Sequence, residues 1–79
     1  MNSELITNIA KLHTTELGEF RIKRNLNLDV ADVVSWCKAQ IEANAENIIR
    51  QGKNFYIKTP TATITVNAYS YTIITAHKL

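Results

Sequence analysis

The chain has 79 residues, a formal net charge of +2 and 46% hydrophobic side chains, which fits one small globular domain and excludes a disordered tail. Its single cysteine, Cys37, excludes an internal disulfide, and no apolar run approaches the ~18 residues of a membrane span. Met1-Asn2-Ser3-Glu4 shows no basic segment leading into an apolar one, so the expectation is a cytoplasmic protein without membrane attachment.

The first helix is predicted from Glu4 to Lys11 or Leu12, with Ser3 as N-cap and Leu5, Ile6, Ile9 and Leu12 on one face. His13-Thr14-Thr15 interrupts it. A short second helix, Glu16 to Arg24, is expected to bury Leu17 and Phe20 and to expose Arg21 with Lys23 or Arg24. Asn25-Leu26-Asn27-Leu28 reads as a connection, and Asp29 as the N-cap of a third helix, with Asp32 near the positive end of its dipole. Val30, Val33, Val34, Cys37 and Ile41 form the clearest helical stripe in the chain, and Trp36 lies one residue off it, at a core edge or as an interface anchor.

From Asn47 the period changes to two. Ile48-Ile49-Arg50 leads into a hairpin turn, Gln51-Gly52-Lys53-Asn54, and Phe55-Tyr56-Ile57-Lys58 returns. Thr59-Pro60 marks the next reversal. Ala62 to Asn67 alternates with Ile64 and Val66 inward and the threonines outward, and Tyr71 to Ala76 forms a last strand. The predicted fold is therefore α+β, a single domain with a helical half (1–46) and a sheet half (47–79). Its four-stranded antiparallel β-meander packs on the third helix.

Charge follows the same division. All seven acids lie in residues 1–46, whereas 47–79 hold Arg50, Lys53, Lys58 and Lys78 with no acid. A sheet half carrying only positive charge attracts phosphates or an acidic partner. Phe55, Tyr56, Tyr69 and Tyr71 lie among these bases, the pattern by which single-stranded RNA is stacked and gripped. The sequence carries no P-loop, G-x-G-x-x-G, H-E-x-x-H, C-x-x-C or G-x-S-x-G, and neither a metal site nor a cofactor is implied.

Acid–base chemistry has two candidates. His77, in Thr75-Ala76-His77-Lys78-Leu79, is a proton-transfer group at a sheet end beside bases, or else an exposed side chain near a frayed terminus. His13 is an inter-helix residue bonding a nearby carbonyl, or a general base opposite His77. Arg50 or Lys53 would stabilise an oxyanion, and Tyr69, Ser70 or Thr75 would position a phosphate. The RNA 2′-hydroxyl would then serve as nucleophile. Arg21-Ile22-Lys23-Arg24 is a second basic cluster, phosphate-binding or paired with Glu16 and Glu19.

Lys11-Leu-His-Thr-Thr-Glu-Leu-Gly18, Arg21-Ile-Lys-Arg-Asn-Leu26, Asp32-Val-Val-Ser-Trp-Cys37 and Asn67 to Lys78 resemble a family of short bacterial proteins, a domain of unknown function. More weakly, helices followed by a four-stranded antiparallel sheet ending in Thr75-Ala76-His77 are similar to barnase, colicin and RelE-like ribonuclease toxins. That likeness is architectural, covers the sheet half, and implies metal-free RNA cleavage. The chain departs from barnase-type sites in having no acid after Glu46.

Two functions follow. In the first, the protein is RNA-directed, a metal-free toxin-type ribonuclease in which His77, Arg50 and Tyr69 are catalytic and Lys53, Lys58, Tyr71 and Lys78 bind RNA. In the second it is a non-enzymatic interaction module: an inhibitor, a regulatory subunit, or a homodimer pairing through an edge strand, for which the threonine-rich Thr59–Thr65 is the candidate.

Overall fold

Three helices precede a four-stranded antiparallel sheet in the computed structural model, which describes residues 3–79 apart from the side chain of Ser3. Ser3 starts the first helix, and its expected capping role lies outside the described residues. Helix α1 spans Ser3–Thr7, and a 3-10 turn, Ile9–Lys11, follows it instead of a continuous helix. Asn8 makes the break: its side-chain amide donates to the Glu4 carbonyl at 2.9 Å, competing with the backbone for the same acceptor. The expected apolar face survives, with Leu5 and Leu12 buried and Ile6 and Ile9 packed against the core.

Helix α2 spans Glu16–Leu26 and ends at Asn27, whose φ of 53° is the left-handed conformation that closes helices. Its N-cap is Thr15, whose hydroxyl accepts from the Gly18 N–H at 3.0 Å. The buried face is Gly18, Ile22 and Leu26, not the expected Leu17 and Phe20, which are 57% and 58% exposed. Gly18 explains the choice. A Cβ there would collide with the Thr14 hydroxyl and lie 3.5 Å from the Ile73 carbonyl, so the glycine lets α2 come close to the last strand. Two polar side chains complete the contact: Thr14 donates to the Ile73 carbonyl at 2.8 Å, and Asn25 donates to the Ala76 carbonyl at 3.2 Å.

Helix α3 spans Val33–Ala43 and buries Val33, Cys37 and Ile41. Its N-cap is Asp32 rather than the expected Asp29. The Asp32 carboxylate accepts from the Ser35 N–H at 3.1 Å and the Ser35 hydroxyl at 2.8 Å, which together hold it below the usual carboxylate range.

The strands are β1 (Ile48–Gln51), β2 (Asn54–Lys58), β3 (Ala62–Asn67) and β4 (Ile73–Lys78), in sheet order β1-β2-β3-β4. Gly52, at φ 61°, occupies the first central position of the β1–β2 turn, where a type II′ hairpin needs glycine. Ile48, Ile57, Ile64 and Ala76 stand opposite one another and are buried, so the helix-facing side of the sheet is continuous with α3 and α2 in one core. Removing each of these isoleucine side chains from water stabilises the fold by about 1.5–3 kcal/mol. The opposite side of the sheet carries no helix, and Ile49 lies 50% exposed there.

Two sequence expectations about the strands change. Thr59–Thr65 is not at an edge, because β3 lies between β2 and β4, and Thr59 is buried where its hydroxyl accepts from the Ala62 N–H. The last strand runs from Ile73 to Lys78 rather than from Tyr71 to Ala76, so His77 lies within it. Ile74 is an extra residue against β3, since Thr65 faces Thr75 and Val66 faces Ile73.

Candidate functional site

The side chains that carry chemistry collect where the β1–β2 turn meets the β3–β4 loop. The Lys53 carbonyl accepts from the Ala68 N–H at 2.8 Å, which ties turn to loop. Asn67 shapes the loop from inside: its side-chain oxygen accepts from the N–H groups of Tyr69 (2.9 Å) and Ser70 (3.0 Å). Tyr71 follows with φ 58°, a left-handed conformation that is costly for a side chain of this size. Its carbonyl accepts from His13, and the Ile73 N–H donates to the His13 carbonyl at 2.7 Å, so His13 adds a short parallel bridge beside the start of β4.

Aromatic rings and cations alternate across this end. The Arg50 guanidinium lies 5.5 Å from the Phe55 ring centre and 5.6 Å from that of Tyr69. Phe55 stacks on Tyr71 at 6.4 Å, and the Lys11 ammonium sits 5.8 Å from Tyr71. Each cation–ring contact is worth about 0.5–1 kcal/mol at an exposed site, enough to hold a pose and too little to lock it. Tyr69 is 74% exposed. Among the described residues only Lys23 and Glu19 form an ion pair, so Lys11, Arg50 and Lys53 keep their charge without a carboxylate.

A hydrogen-bonded chain runs beside them. His13 Nδ1 lies 2.9 Å from the Lys11 carbonyl oxygen, which can only accept, so Nδ1 carries the proton. In the neutral ring His13 Nε2 then accepts from the Thr72 hydroxyl at 3.0 Å, and Thr72 lies 2.7 Å from the Ser70 hydroxyl. A base fixed in one tautomer beside a hydroxyl is the arrangement that activates nucleophiles. The carbonyl contact of His13 was expected; its meeting with Thr72, 59 residues away, has no sequence signal.

The other expected site residues lie apart. His77 stands opposite Thr63, on the open side of the sheet, with Lys58 beyond it on β2. Arg50 pairs with the buried Phe55 and so belongs to the other side. Three strand spacings of about 4.8 Å and several residues along the sheet also separate Arg50 from His77. Lys78 borders a third place, a shallow groove lined by Leu26, Leu28, Trp36, Pro60 and Thr61. The structure thus brings together the expected Arg50, Tyr69, Tyr71, Lys53, Ser70 and His13, adds Lys11 and Thr72, and leaves His77, Lys58 and Lys78 elsewhere. The basic cluster on α2 is also dispersed: Ile22 enters the core, Lys23 pairs with Glu19 at 3.3 Å, and Arg24 covers Phe20.

Among the described residues, no three His, Cys, Asp or Glu side chains come together to hold a metal ion, and no helix is long and apolar enough to cross a membrane. Residues 6–77 match the family described as "Protein of unknown function (DUF3781)". The chain belongs to that family. The match takes in both His13 and the loop it meets. No curated protein and no solved structure matches the chain, and no match supports the expected likeness to ribonuclease toxins.

Proposed function

We propose that this DUF3781 protein is a cytosolic RNA-directed protein whose binding surface is the end formed by the β1–β2 turn, the β3–β4 loop and His13. The observation that carries the reading is the exposed Tyr69 ring resting on Arg50, with Lys11 and Lys53 nearby and no carboxylate partner for any of the three cations. A base stacked on Tyr69 brings its flanking phosphates toward Arg50 and Lys53, the combination by which unpaired strands are held. Single strands fit this end better than duplexes, because a splayed base is needed to reach the ring.

The same end suits the cleavage chemistry better than His77 does. In that reaction the 2′-hydroxyl of the RNA takes the place of the Thr72 hydroxyl at His13 Nε2, and its oxygen bonds to the adjacent phosphorus as its proton passes to that nitrogen. The bond from phosphorus to the 5′-oxygen breaks, and that oxygen takes a proton back from the imidazolium. Arg50 and Lys53 offset the charge that builds on the phosphate.

The test is a labelled single-stranded RNA, followed by anisotropy for binding and by denaturing gel in EDTA for cleavage. Tyr69→Ala and Arg50→Ala should weaken binding, His13→Asn should stop cleavage while binding persists, and His77→Ala should change neither. Absence of binding, or binding indifferent to Tyr69 and Arg50, overturns the RNA reading. Binding without cleavage removes the ribonuclease step alone.

A further inference from the structure

The outward face of α2 is unlike the rest of the helical surface. Leu17 and Phe20 are exposed one turn apart, while Gly18, Ile22 and Leu26 on the opposite face fill the core. Arg21 and Arg24 share the outward face, and the Arg24 guanidinium lies 5.6 Å from the Phe20 ring centre. Two large apolar side chains on one exposed stripe, rimmed by charge, mark a surface that another protein covers.

Charge along the helix says which protein. Glu16 and Glu19 occupy the first turn, and Arg21, Lys23 and Arg24 follow toward the end. Glu19 and Lys23 satisfy each other at 3.3 Å within the chain, which leaves exposed Glu16 at one end and exposed Arg24 toward the other, with Arg21 mid-helix. A helix so divided is complementary to itself when turned end over end. The antiparallel pair sets each acidic start against a basic finish and also opposes the two helix dipoles, whereas a parallel pair would set like against like. We infer that α2 pairs antiparallel with α2 of a second copy across a two-fold axis near Phe20, with Glu16 of each chain facing Arg24 of the other.

Such an interface is isologous, so each residue acts twice. Phe20 packs near the axis against its own counterpart, and Leu17 packs on the aliphatic part of the opposing Arg24 side chain. The position suits pairing, because α2 flanks β4 through Thr14 and Asn25 and so lies at the edge of the sheet opposite β1. The inference is independent of the RNA reading, which uses the loop end.

The experiment is light scattering coupled to size exclusion over a concentration series. The wild type should show twice the 8.9 kDa chain mass at high concentration. Phe20→Glu should be monomeric with an unchanged far-ultraviolet spectrum, as substitution of an exposed side chain allows. Glu16→Arg and Arg24→Glu should each weaken the dimer at least tenfold, and the two together should restore it. A wild type that stays monomeric throughout overturns the proposal and leaves the face to a different protein. A dimer that Phe20→Glu leaves intact, or a double swap that fails to recover it, overturns the proposed geometry.

Discussion

Gly18 is the residue on which intrinsic propensity and tertiary contact disagree. Alanine is favoured over glycine inside a helix by about 1 kcal/mol, so Gly18→Ala would stabilise an isolated α2. In the folded chain the added methyl meets the Thr14 hydroxyl, which donates to the Ile73 carbonyl, and crowds the Thr15 hydroxyl that caps the helix, 3.3 Å away. Displacing the cap alone costs about 1 kcal/mol, and an unsatisfied hydroxyl adds about as much again. The net expectation is a loss of about 1 kcal/mol, read from the urea midpoint; a midpoint at or above wild type would show that α2 moves away freely. Cys37 makes a second point at this scale. Burial pushes its thiol from an ordinary 9.0 up to about 12, so above pH 9.0 the unfolded chain releases a proton that the folded chain keeps. That difference removes stability as the pH climbs from 9.0 toward 12. Wild type should therefore lose more stability than Cys37→Ala across this window, whereas parallel curves would mean that the thiol ionises in place.

At the scale of the element, the helices show how far periodicity carries and where it stops. The stripe through Val33, Cys37 and Ile41 is buried as expected, because one apolar face is present and no other competes with it. In α2 two faces compete, and the larger side chains, Leu17 and Phe20, suggest the wrong one. The deciding contact is the approach to β4, which favours the smallest residue, and a hydrophobicity pattern gives glycine no weight. Capping shows a related limit. Sequence position favours Asp29 as the cap and places Asp32 only near the helix dipole, yet it is Asp32 that has the Ser35 N–H and hydroxyl within reach. Asp32→Ala should lower the thermal midpoint at neutral pH and Asp29→Ala should leave it nearly unchanged; the reverse order would contradict the observed helix start. Because the folded carboxyl of Asp32 is held below its ordinary 3.8, this stabilisation is present above pH 3.8 and is lost as the pH falls through the lower folded value. The gap between wild type and Asp32→Ala should therefore close on acidification.

For the whole molecule, the four-stranded antiparallel meander was legible because period-two alternation and turn residues are local signals, whereas the register, with its extra residue at Ile74, emerges only from the pairing. The site was legible only in part. Arg50, Tyr69, Tyr71 and Lys53 belong to strand ends and turns that the meander brings together. His13 reaches the same place by a bridge to Thr72 that closes a 59-residue separation, and nothing in the sequence marks it. His77 drew attention as a histidine among bases, but the pleat turns it to the opposite side of the sheet from Arg50.

This division of the basic residues makes a quantitative difference in solution. If the loop end alone grips RNA, the neutralised phosphates belong to Lys11, Arg50 and Lys53, and a single strand releases about 0.7 counterion for each. Affinity should then fall about 20-fold between 50 and 200 mM salt, with a log–log slope near −2. Arg50→Gln should flatten the slope by about 0.7, while Lys58→Gln and Lys78→Gln should leave it unchanged. A slope lowered equally by all three variants would mean that the whole basic sheet half acts as a diffuse field. In that case neither the stacking of Tyr69 on Arg50 nor the placement of His13 would bear on recognition. A flat response would exclude phosphate binding altogether, because an exposed cation with no carboxylate partner can hold a phosphate only in competition with salt.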